Sequence, residues 1–463
     1  MKPIVIEYVV ERNLCIGCGA CTALCPENAL TMGFNMFGEY NPASIEGCTK
    51  GCGICLKICP FGDGNPDEDT IAKKLYGDVP SIQHRSEVGY FSGLYAGYSK
   101  VGRHREQGAS GGMATWLLET LLQEGYVDAA ICVKQNSDPE QLFSFTVVTT
   151  VEGVQESSGS AYYPVELSGV IRHVLSKPGR YAIIGLPCFV KAIRLAQQKN
   201  KILRERIVVV LGLTCGQSKS KHYTSYLSAL AGLEGKPTKV HYRSKDLKQP
   251  AANYYFSCNN ESNAEHRVSR KNGFSEVWGN RWFTPNACNY CDDIFAECAD
   301  ATFMDAWLPE YSSDPYGTSL ILVRSPELMN LIQQGCDSHR LDADVVDVSR
   351  IIRSQRGVIS TKRRDLAHRL HEAELRRDFC PKKRVQPEKC SPLERWRLRV
   401  IGAMQTRSRQ FTPNQYYSAA DILTLRRVMQ LDVIQLRLIR LSNYPRRVVR
   451  YVNEMLLRKI KHI

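Results

Sequence analysis

Eight of the 18 cysteines lie in two runs near the start of the chain. The first run reads C-x2-C-x2-C-x3-C-P and consists of Cys15, Cys18, Cys21 and Cys25. The second run reads C-x3-C-x2-C-x3-C-P and consists of Cys48, Cys52, Cys55 and Cys59. Paired runs of this kind bind two [4Fe–4S] clusters, and the fourth cysteine of each run binds the other cluster. The sequence therefore predicts one cluster on Cys15, Cys18, Cys21 and Cys59, and another on Cys48, Cys52, Cys55 and Cys25.

The residues between these cysteines suit a loop that wraps around a cluster. Gly17, Gly19 and Gly53 let the chain turn tightly and direct backbone N–H groups at sulfur, and Pro26 and Pro60 follow the last ligand of each run. C-x2-C pairs also occur in zinc sites, which is the alternative interpretation. Eight cysteines with two C-x3-C-P endings favour iron–sulfur clusters over zinc.

Four further cysteines have the contexts of turns: Cys188, Cys215, Cys288 and Cys291. The first two follow predicted buried strands at residues 180–184 and 207–213. Loops at the carboxyl ends of strands converge in α/β sheets, so a third [4Fe–4S] cluster on these four cysteines is one hypothesis. The alternatives are small buried hydrophobic residues at 188 and 215, and half of a zinc site at 288 and 291. Cys298 is a spare candidate ligand.

A loop of small residues, Gly108-Ala-Ser-Gly-Gly112, lies between a predicted strand at 94–99 and a predicted helix from Ala114. Such a loop before a helix N-terminus suits the pyrophosphate of a dinucleotide, and we predict FAD, with Gly108, Ser110, Gly111 and Gly112 as contacts. The alternative for Ser110 is a helix N-cap. A second small-residue segment, which contains Gly159, Ser160 and Tyr162, either covers the same cofactor or forms an ordinary loop.

Strands alternate with helices after the cysteine runs, which predicts an α/β core with a mixed sheet. Further strands are expected at 127–133 and 143–149, and helices at 165–175, 189–198 and 222–231. We expect four parts: a two-cluster ferredoxin-type domain at 1–64, the two parts of a flavin-binding core at 65–150 and 151–360, and a basic helical extension at 361–463.

The charge of the chain is concentrated in its last hundred residues. Residues 361–463 contain 25 Lys and Arg and 9 Asp and Glu, whereas the rest of the chain is almost neutral. The arginines alternate with apolar stripes, which suits an amphipathic helix on an anionic membrane surface or on an acidic partner such as a ferredoxin. The alternative is a solvated arginine face on helices packed against the core. Aromatic residues are not interleaved as in single-strand binders, so no nucleic acid is expected.

No secretory signal and no apolar run of about 20 residues are visible, and 18 cysteines without an export signal suit a reducing compartment. The sequence thus predicts a cytoplasmic protein, with a peripheral membrane position left open by the basic extension.

Six motifs in this order resemble the family of coenzyme F420 hydrogenase/dehydrogenase beta subunits, which includes the 7-hydroxymethyl chlorophyll a reductases. They are Gly108-Ala-Ser-Gly-Gly112, Gly159-Ser-Ala-Tyr162, Gly185-Leu-Pro-Cys188, Thr214-Cys-Gly216, Cys288-Asn-Tyr-Cys291-Asp292 and Ala299-Asp300. The resemblance implies a non-Rossmann α/β flavoprotein with FAD beside a [4Fe–4S] cluster on Cys188, Cys215, Cys288 and Cys291. It also implies that the segments 108–112 and 159–162 line the FAD site.

The chain departs from the family pattern in two places. Met304-Asp-Ala-Trp307 replaces a Gly-Asp-x-Trp motif, and Ala161 stands where a Lys is usual, so the substrate is not inherited from the family.

The function expected from these features is electron transfer between [4Fe–4S] clusters and FAD, with hydride exchange between FAD and a small organic substrate such as coenzyme F420. A ferredoxin or another redox protein is the expected electron partner. The alternatives are an electron-relay subunit of a larger redox complex and a reductase of a tetrapyrrole or of a cell-surface polysaccharide precursor. His222 and Asp305 are candidate proton donors, although a lone residue of either type is more often structural.

Overall fold

The computed structural model of the chain describes residues 2–138, 140–413 and 416–442. The predicted extension at 361–463 is therefore described only as far as Ser442, and residues 443–463 lie outside the described residues.

Fifteen strands occur within the described residues, and many are short β-branched or aromatic segments, as strand propensity predicts. In chain order they are β1 (Leu30–Phe34), β2 (Tyr40–Ser44), β3 (Gln83–Arg85), β4 (Gly89–Phe91), β5 (Gly93–Ser99), β6 (Ala129–Gln135), β7 (Phe143–Val148), β8 (Tyr181–Gly185), β9 (Ile207–Leu213), β10 (Thr238–Ser244), β11 (Tyr255–Asn259), β12 (Glu265–Ser269), β13 (Ala301–Asp305), β14 (Ser319–Val323) and β15 (Leu341–Val345).

The α-helices of the same part of the chain are α1 (Ala20–Ala23), α2 (Ile54–Lys57), α3 (Glu68–Tyr76), α4 (His104–Gln107), α5 (Met113–Gln123), α6 (Val151–Glu156), α7 (Ser168–Ser176), α8 (Pro187–Lys199), α9 (Lys201–Arg206), α10 (Lys221–Leu230), α11 (Phe274–Gly279), α12 (Pro309–Ser312), α13 (Pro326–Asp337), α14 (Val348–Ser354), α15 (Arg356–Ser360), α16 (Leu366–Arg376), α17 (Pro392–Gln410) and α18 (Ala419–Ser442). Single π-helical turns lie at Ile6–Val10 and Thr361–Asp365, and 3-10 turns at Arg270–Asn272 and Asn286–Tyr290.

Eight strands form one mixed sheet in the order β15-β5-β14-β13-β9-β8-β6-β7. The four central strands β13, β9, β8 and β6 are parallel, and antiparallel strands extend the sheet on both sides. The strands before residue 150 and those after it share this sheet. The predicted mixed α/β architecture is confirmed, and the predicted strand at 207–213 coincides with β9. The strand predicted at 127–133 begins at Ala129, because Val127 lies in a turn and donates its N–H to the Leu121 carbonyl.

Helices cover both faces of this sheet. On one face, Ile183 of β8 and Val210 of β9 pack with helices α7 and α8 in a buried apolar cluster. On the other face, Leu211 of β9 packs with α5, where Trp116 is 2% exposed, and with α13. Because the central strands are covered on both sides, their loops at the carboxyl edge remain the accessible place for a ligand.

The first 64 residues form a hairpin of β1 and β2 beside the short helices α1 and α2. This N-terminal part packs on the loop of the core that contains Cys288 and Cys291, since Leu14 and Phe61 share an apolar cluster with Ala287. The predicted ferredoxin-type domain is thus in direct contact with the α/β core.

The described part of the extension is helical, as predicted, and its helices are packed against the core. Helix α17 begins at a capping box, in which Ser391 and Glu394 satisfy each other's backbone N–H groups and Pro392 occupies the first turn. Helices α17 and α18 pack with β10–β12 and α10 through Met404, Leu425 and Met429. Within the described part of the chain, no helix combines the length and the hydropathy that a membrane crossing requires.

Candidate functional site

Four cysteines of the two runs come together as the first predicted set. Burial, followed by the charges of Cys21, Cys18 and Cys59, raises the pKa of Cys15, which shows that these four thiols are close neighbours. The Gly17 N–H donates to the sulfur of Cys15 at 3.3 Å. Four thiolates this close together would repel one another unless iron binds them, so this set fits a cluster ligated by four cysteines.

The second predicted set is also largely brought together. Burial, with Cys25 and Cys48 as neighbouring charges, raises the pKa of Cys55. The fourth member, Cys52, is half-buried in the loop before Gly53. Cys55 also acts on Cys21 and Cys59, so the two sets adjoin each other.

Among the described residues, no group of three or more His, Cys, Asp or Glu side chains is arranged around a single metal ion. A [4Fe–4S] cubane is wider than one ion, and each of its four irons takes one thiolate. A cluster is therefore expected to be bound by four separated thiols and not by side chains that converge on one point.

The third set of cysteines lines one small cavity: Cys188, Cys215, Cys288 and Cys291. Cys188 is the second residue of α8, Cys215 follows β9, and the other two lie in and after the 3-10 turn Asn286–Tyr290. The Ser218 N–H donates to the sulfur of Cys288 at 3.3 Å. Burial, and then the charges of Cys291, Cys215 and Cys288, raises the pKa of Cys188 well above its usual value. The four thiols fit a [4Fe–4S] cluster.

Cationic side chains surround this third set. Lys362 lines the same cavity and is 2% exposed. Burial alone lowers the pKa of Lys362, but Cys291, Cys215 and Cys288 raise it well above its usual value. Arg281 is the second buried cation, and its Nε has no hydrogen-bond partner among the described residues. The site therefore favours an anionic group such as a thiolate-ligated cluster.

A second, much larger cavity of about 980 Å³ opens at the carboxyl ends of β6, β8, β9 and β13. This volume is at the upper end of the range for cofactor and ligand sites. Six of the seven predicted FAD contacts line it: Gly108, Ser110, Gly112, Gly159, Ser160 and Tyr162.

Gly111 does not line the large cavity, and its contact with FAD stays a prediction. Its N–H donates to the Ser319 hydroxyl at 3.0 Å, and it packs against the backbone of β5 and β14. The N-cap alternative for Ser110 is wrong. Helix α5 is capped by Gly112 in a left-handed conformation, and the Ser110 hydroxyl donates to the Thr318 carbonyl at 2.6 Å.

The large cavity has polar groups that lack a partner in the protein. The Thr214 hydroxyl and the Arg243 Nε are buried and form no hydrogen bond with the described residues. The Arg243 guanidinium also binds both carboxylate oxygens of Asp305, at 2.7 and 2.8 Å, and lies over the rings of Tyr254 and Trp307. Unpaired buried donors are rare in native proteins, so this cavity fits a polar, planar ligand such as a flavin dinucleotide.

Lys245 fastens the glycine loop at the rim of this cavity. Its ammonium donates to the carbonyls of Ser110 at 3.0 Å, of Tyr316 at 2.6 Å, and of Arg105. Burial, followed by the charges of Arg243 and Arg105, lowers the pKa of Lys245 to about 7. Lys245 therefore joins the loop after β5 to the segment before β14.

The small and the large cavity share a wall. Leu186, Phe189, Cys215 and Ser218 line both of them. Ile16, which lies between Cys15 and Gly17 of the first run, also lines the small cavity. The third cysteine set thus adjoins both the first cysteine run and the large cavity.

Of the two candidate proton donors, only Asp305 lines the large cavity. The other, His222, has its ring Nε2 3.3 Å from the Met36 carbonyl oxygen, and burial lowers its pKa. The spare candidate Cys298 is fully buried beside α3 and does not line the small cavity, so it does not join the third set.

Arg384 connects three parts of the chain. It binds both carboxylate oxygens of Glu297 at 2.7 and 2.9 Å and reaches Asp69, at the start of α3, at 2.8 Å. Its side chain is only 7% exposed, and Asp292, next to Cys291, lies 3.5 Å away. The extension is thereby joined to the helix after the ferredoxin-type domain and to the loop of the third cysteine set.

We expect Arg384→Met to lower the free energy of unfolding by about 3–5 kcal/mol, because it removes the bidentate partner of the buried Glu297 carboxylate. Only the longer contact with Arg363, at 3.5 Å, then remains for Glu297. The measurement is urea unfolding of the anaerobic protein. The matched control is Arg376→Met, which removes an arginine with a 61% exposed side chain and should change stability by less than about 1 kcal/mol. Equal effects of the two substitutions would contradict this role of Arg384.

Sequence reasoning missed four residues of these sites: Arg243, Lys245, Lys362 and Arg384. Arg243 lies in β10 and Lys245 directly follows this strand, so their i, i+2 spacing at a strand end was the available signal. Lys362 and Arg384 lie in basic segments that look like a solvated surface, and no local pattern distinguishes them.

Comparisons with known proteins match two parts of the chain. A model of the 4Fe-4S dicluster domain matches residues 14–63. Models of the N-terminal and C-terminal parts of the coenzyme F420 hydrogenase/dehydrogenase beta subunit match residues 94–172 and 179–348, together more than half of the chain. The chain is an iron–sulfur protein by its dicluster domain. It belongs to the family of coenzyme F420 hydrogenase/dehydrogenase beta subunits.

Two curated relatives are a subunit of the F(420)H(2) dehydrogenase of Methanosarcina mazei, 26% identical over 226 residues, and coenzyme F420-dependent sulfite reductase of Methanocaldococcus jannaschii, 27% identical over 194 residues. The matches cover 47% and 42% of this chain, and 57% and 26% of these relatives. Among solved structures, a chain of the F420-reducing [NiFe] hydrogenase complex of Methanosarcina barkeri is similar with a TM-score of 0.48 and 16% identity. That match covers 63% of this chain and 96% of the other.

Proposed function

We propose that the protein passes electrons between the two N-terminal clusters, a third cluster on Cys188, Cys215, Cys288 and Cys291, and FAD in the large cavity. The observation that carries this proposal is the position of the third cysteine set. Its cavity shares a wall with the large cavity and is also lined by Ile16 of the first cysteine run. A redox centre there would adjoin both the first cysteine set and the large cavity.

A bound FAD would supply the change from one-electron transfer to hydride transfer. The residues of this chain bind and orient that group. The backbone at Gly108 and Gly112 approaches it, Lys245 fixes the loop, and the free donors of Thr214 and Arg243 face the cavity. Asp305 holds the Arg243 guanidinium in place and lies where a proton could be passed.

The proposed substrate is coenzyme F420 or a similar anionic deazaflavin. Two curated relatives have F420 in their names, and the cavity wall offers the rings of Tyr254 and Trp307 with Arg243 between them. Stacking on aromatic rings and cationic side chains suits a planar, negatively charged substrate. A tetrapyrrole or a polysaccharide precursor is the alternative substrate.

The test is anaerobic mixing of the dithionite-reduced, fully loaded protein with F420, followed by the absorbance of oxidised F420. We expect stoichiometric loss of this absorbance. Reoxidation of the protein by one-electron acceptors but not by F420 or other hydride acceptors would contradict the enzyme and favour the electron-relay subunit.

We also propose that a redox protein with an acidic surface docks on helix α18. Leu431 and Leu438 are exposed on this helix beside the exposed Arg427 and Arg437, a combination suited to an acidic, partly apolar surface. Leu431→Ser with Leu438→Ser should weaken salt-sensitive binding to ferredoxin. Loss of binding to anionic liposomes alone would favour a peripheral membrane position instead.

A further inference from the structure

Lys362 lies outside the part of the chain that the family models match, which ends at residue 348. It is the second residue of the π-helical turn Thr361–Asp365, between helices α15 and α16. π-Helical turns are rare and occur mostly at functional sites, because the wider turn redirects a side chain. This turn directs Lys362 inward, whereas the next-but-one residue, Arg364, has a 61% exposed side chain.

The surroundings of Lys362 explain what could balance its charge. It lines the small cavity together with all four cysteines of the third set. In the described part of the chain, no carboxylate lies within ion-pair distance of it, and the nearby Asp365 is bound to Arg397 at 2.6 Å. A buried ammonium without an anion is costly. Cys215, Cys288 and Cys291 line the same small cavity and would be thiolates as ligands of a cluster.

We propose that Lys362 is a positioning residue that raises the reduction potential of the third cluster, an inference that rests on the proposed cluster at Cys188, Cys215, Cys288 and Cys291. Reduction adds one electron to a cluster that is already an anion. A fixed cation at the cluster stabilises the reduced form more than the oxidised form. Because Lys362 and the cluster would share a buried site, solvent screens this interaction only weakly.

The first cysteine set has charged neighbours of both signs. The carboxylate of Glu166 acts on Cys18 and lies directly beside Gly19, while Lys191 acts on Cys59. A neighbouring carboxylate disfavours the reduced form of a cluster, whereas Lys362 favours it at the third set. Glu166 and Lys362 thus each favour an electron on the third cluster over the first, and Lys191 opposes this.

The experiment is an anaerobic potentiometric titration followed by electron paramagnetic resonance on the fully loaded wild type, Lys362→Met, Lys362→Arg and Arg364→Gln. At fixed potential, we expect Lys362→Met to lower the reduced-to-oxidised ratio of one cluster at least tenfold, which is about 59 mV for a one-electron couple. The other two clusters should be unchanged. Lys362→Arg keeps the charge and should stay near the wild type. Arg364→Gln removes a charge from the same turn at the surface and should shift nothing.

The outcomes are distinct. Unchanged potentials in Lys362→Met with all irons retained would overturn the proposal. Loss of four irons from Lys362→Met but not from Lys362→Arg would support it, since charge rather than volume then holds the cluster. Loss from both variants would overturn it. A wild type with only eight irons would show that the third cluster is absent, which would refute both the proposed cluster and the role of Lys362.

Discussion

Cys288→Ala is expected to remove about four of the roughly twelve irons per chain, because a cubane that loses one of its four thiolates is no longer held. Removing even an outer-shell partner of a metal site costs 10–100-fold in affinity, so loss of a ligand should exceed about 100-fold. Cys288 lines the small cavity and belongs to neither of the two N-terminal cysteine sets. The eight remaining irons and the bound flavin should therefore be retained.

In Cys288→Ala, we expect electron transfer from the N-terminal clusters to the flavin to be interrupted. Stopped-flow mixing with reduced ferredoxin should still reduce the N-terminal clusters, while flavin reduction becomes much slower than in the wild type. The matched control is Cys298→Ala, which removes a buried cysteine ten residues further along the chain that does not line the cavity. Wild-type iron content and flavin reduction in Cys288→Ala would refute the assignment of the third set.

Gly111→Ala is expected to weaken FAD binding at least tenfold, although Gly111 does not contact the cavity. A Cβ at this position would lie 2.5 Å from the Gly97 carbonyl oxygen and 2.8 Å from the Ser319 nitrogen. Both atoms belong to backbone of the central sheet, so the loop and not the sheet must move. Displacing the loop by a few tenths of an ångström shifts Gly112 and Ser110, which do line the cavity, and a tenfold loss corresponds to about 1.4 kcal/mol.

The measurement for Gly111→Ala is the dissociation constant of FAD from flavin fluorescence with the apoprotein. The control is Gly169→Ala in helix α7, where an added Cβ meets no atom within 4 Å and alanine favours the helix. Equal FAD affinity of Gly111→Ala and the wild type, with the same thermal stability, would show that the loop tolerates the side chain and does not position the cofactor.

The parts of the fold that local sequence determines could be predicted. The β-branched run Ile207–Leu213 gives β9 because such residues suit a covered central strand. The spacing of the two cysteine runs predicts [4Fe–4S] binding, because a cluster takes most of its ligands from one tight loop. The family motifs also pointed to the segments 108–112 and 159–162, which meet at the large cavity although they are about 50 residues apart.

The residues that complete the sites could not be predicted, because their roles depend on contacts far along the chain. Gly111 was assigned to the cofactor from its neighbours, but the close approach of β5 and β14 makes it a packing residue. Lys362 belongs to a Thr-Lys-Arg-Arg-Asp segment with nothing to set it apart, and only the π-helical turn directs it to the cysteines. The role of Arg384 can be recognised only when the fold brings Glu297 and Asp69 next to it.

The extension illustrates the same limit. Its net positive charge predicted either a binding surface or a solvated face. Neither prediction included arginines that are directed toward the core. Arg384 and Arg409 are paired with buried carboxylates of the body, the latter with Glu39 at 2.7 and 2.8 Å. Part of the positive charge of the extension is therefore internal and stabilises the contact between the extension, the core and the N-terminal part.

The most direct measurement of the central claim is the content of iron, acid-labile sulfide and flavin per chain after strictly anaerobic purification. We expect about twelve irons, about twelve sulfides and one FAD, from three cubanes and one flavin site. Eight irons with one flavin, or twelve irons without flavin, would break the proposed path at the third cysteine set or at the large cavity respectively, and zinc in place of iron would contradict it altogether.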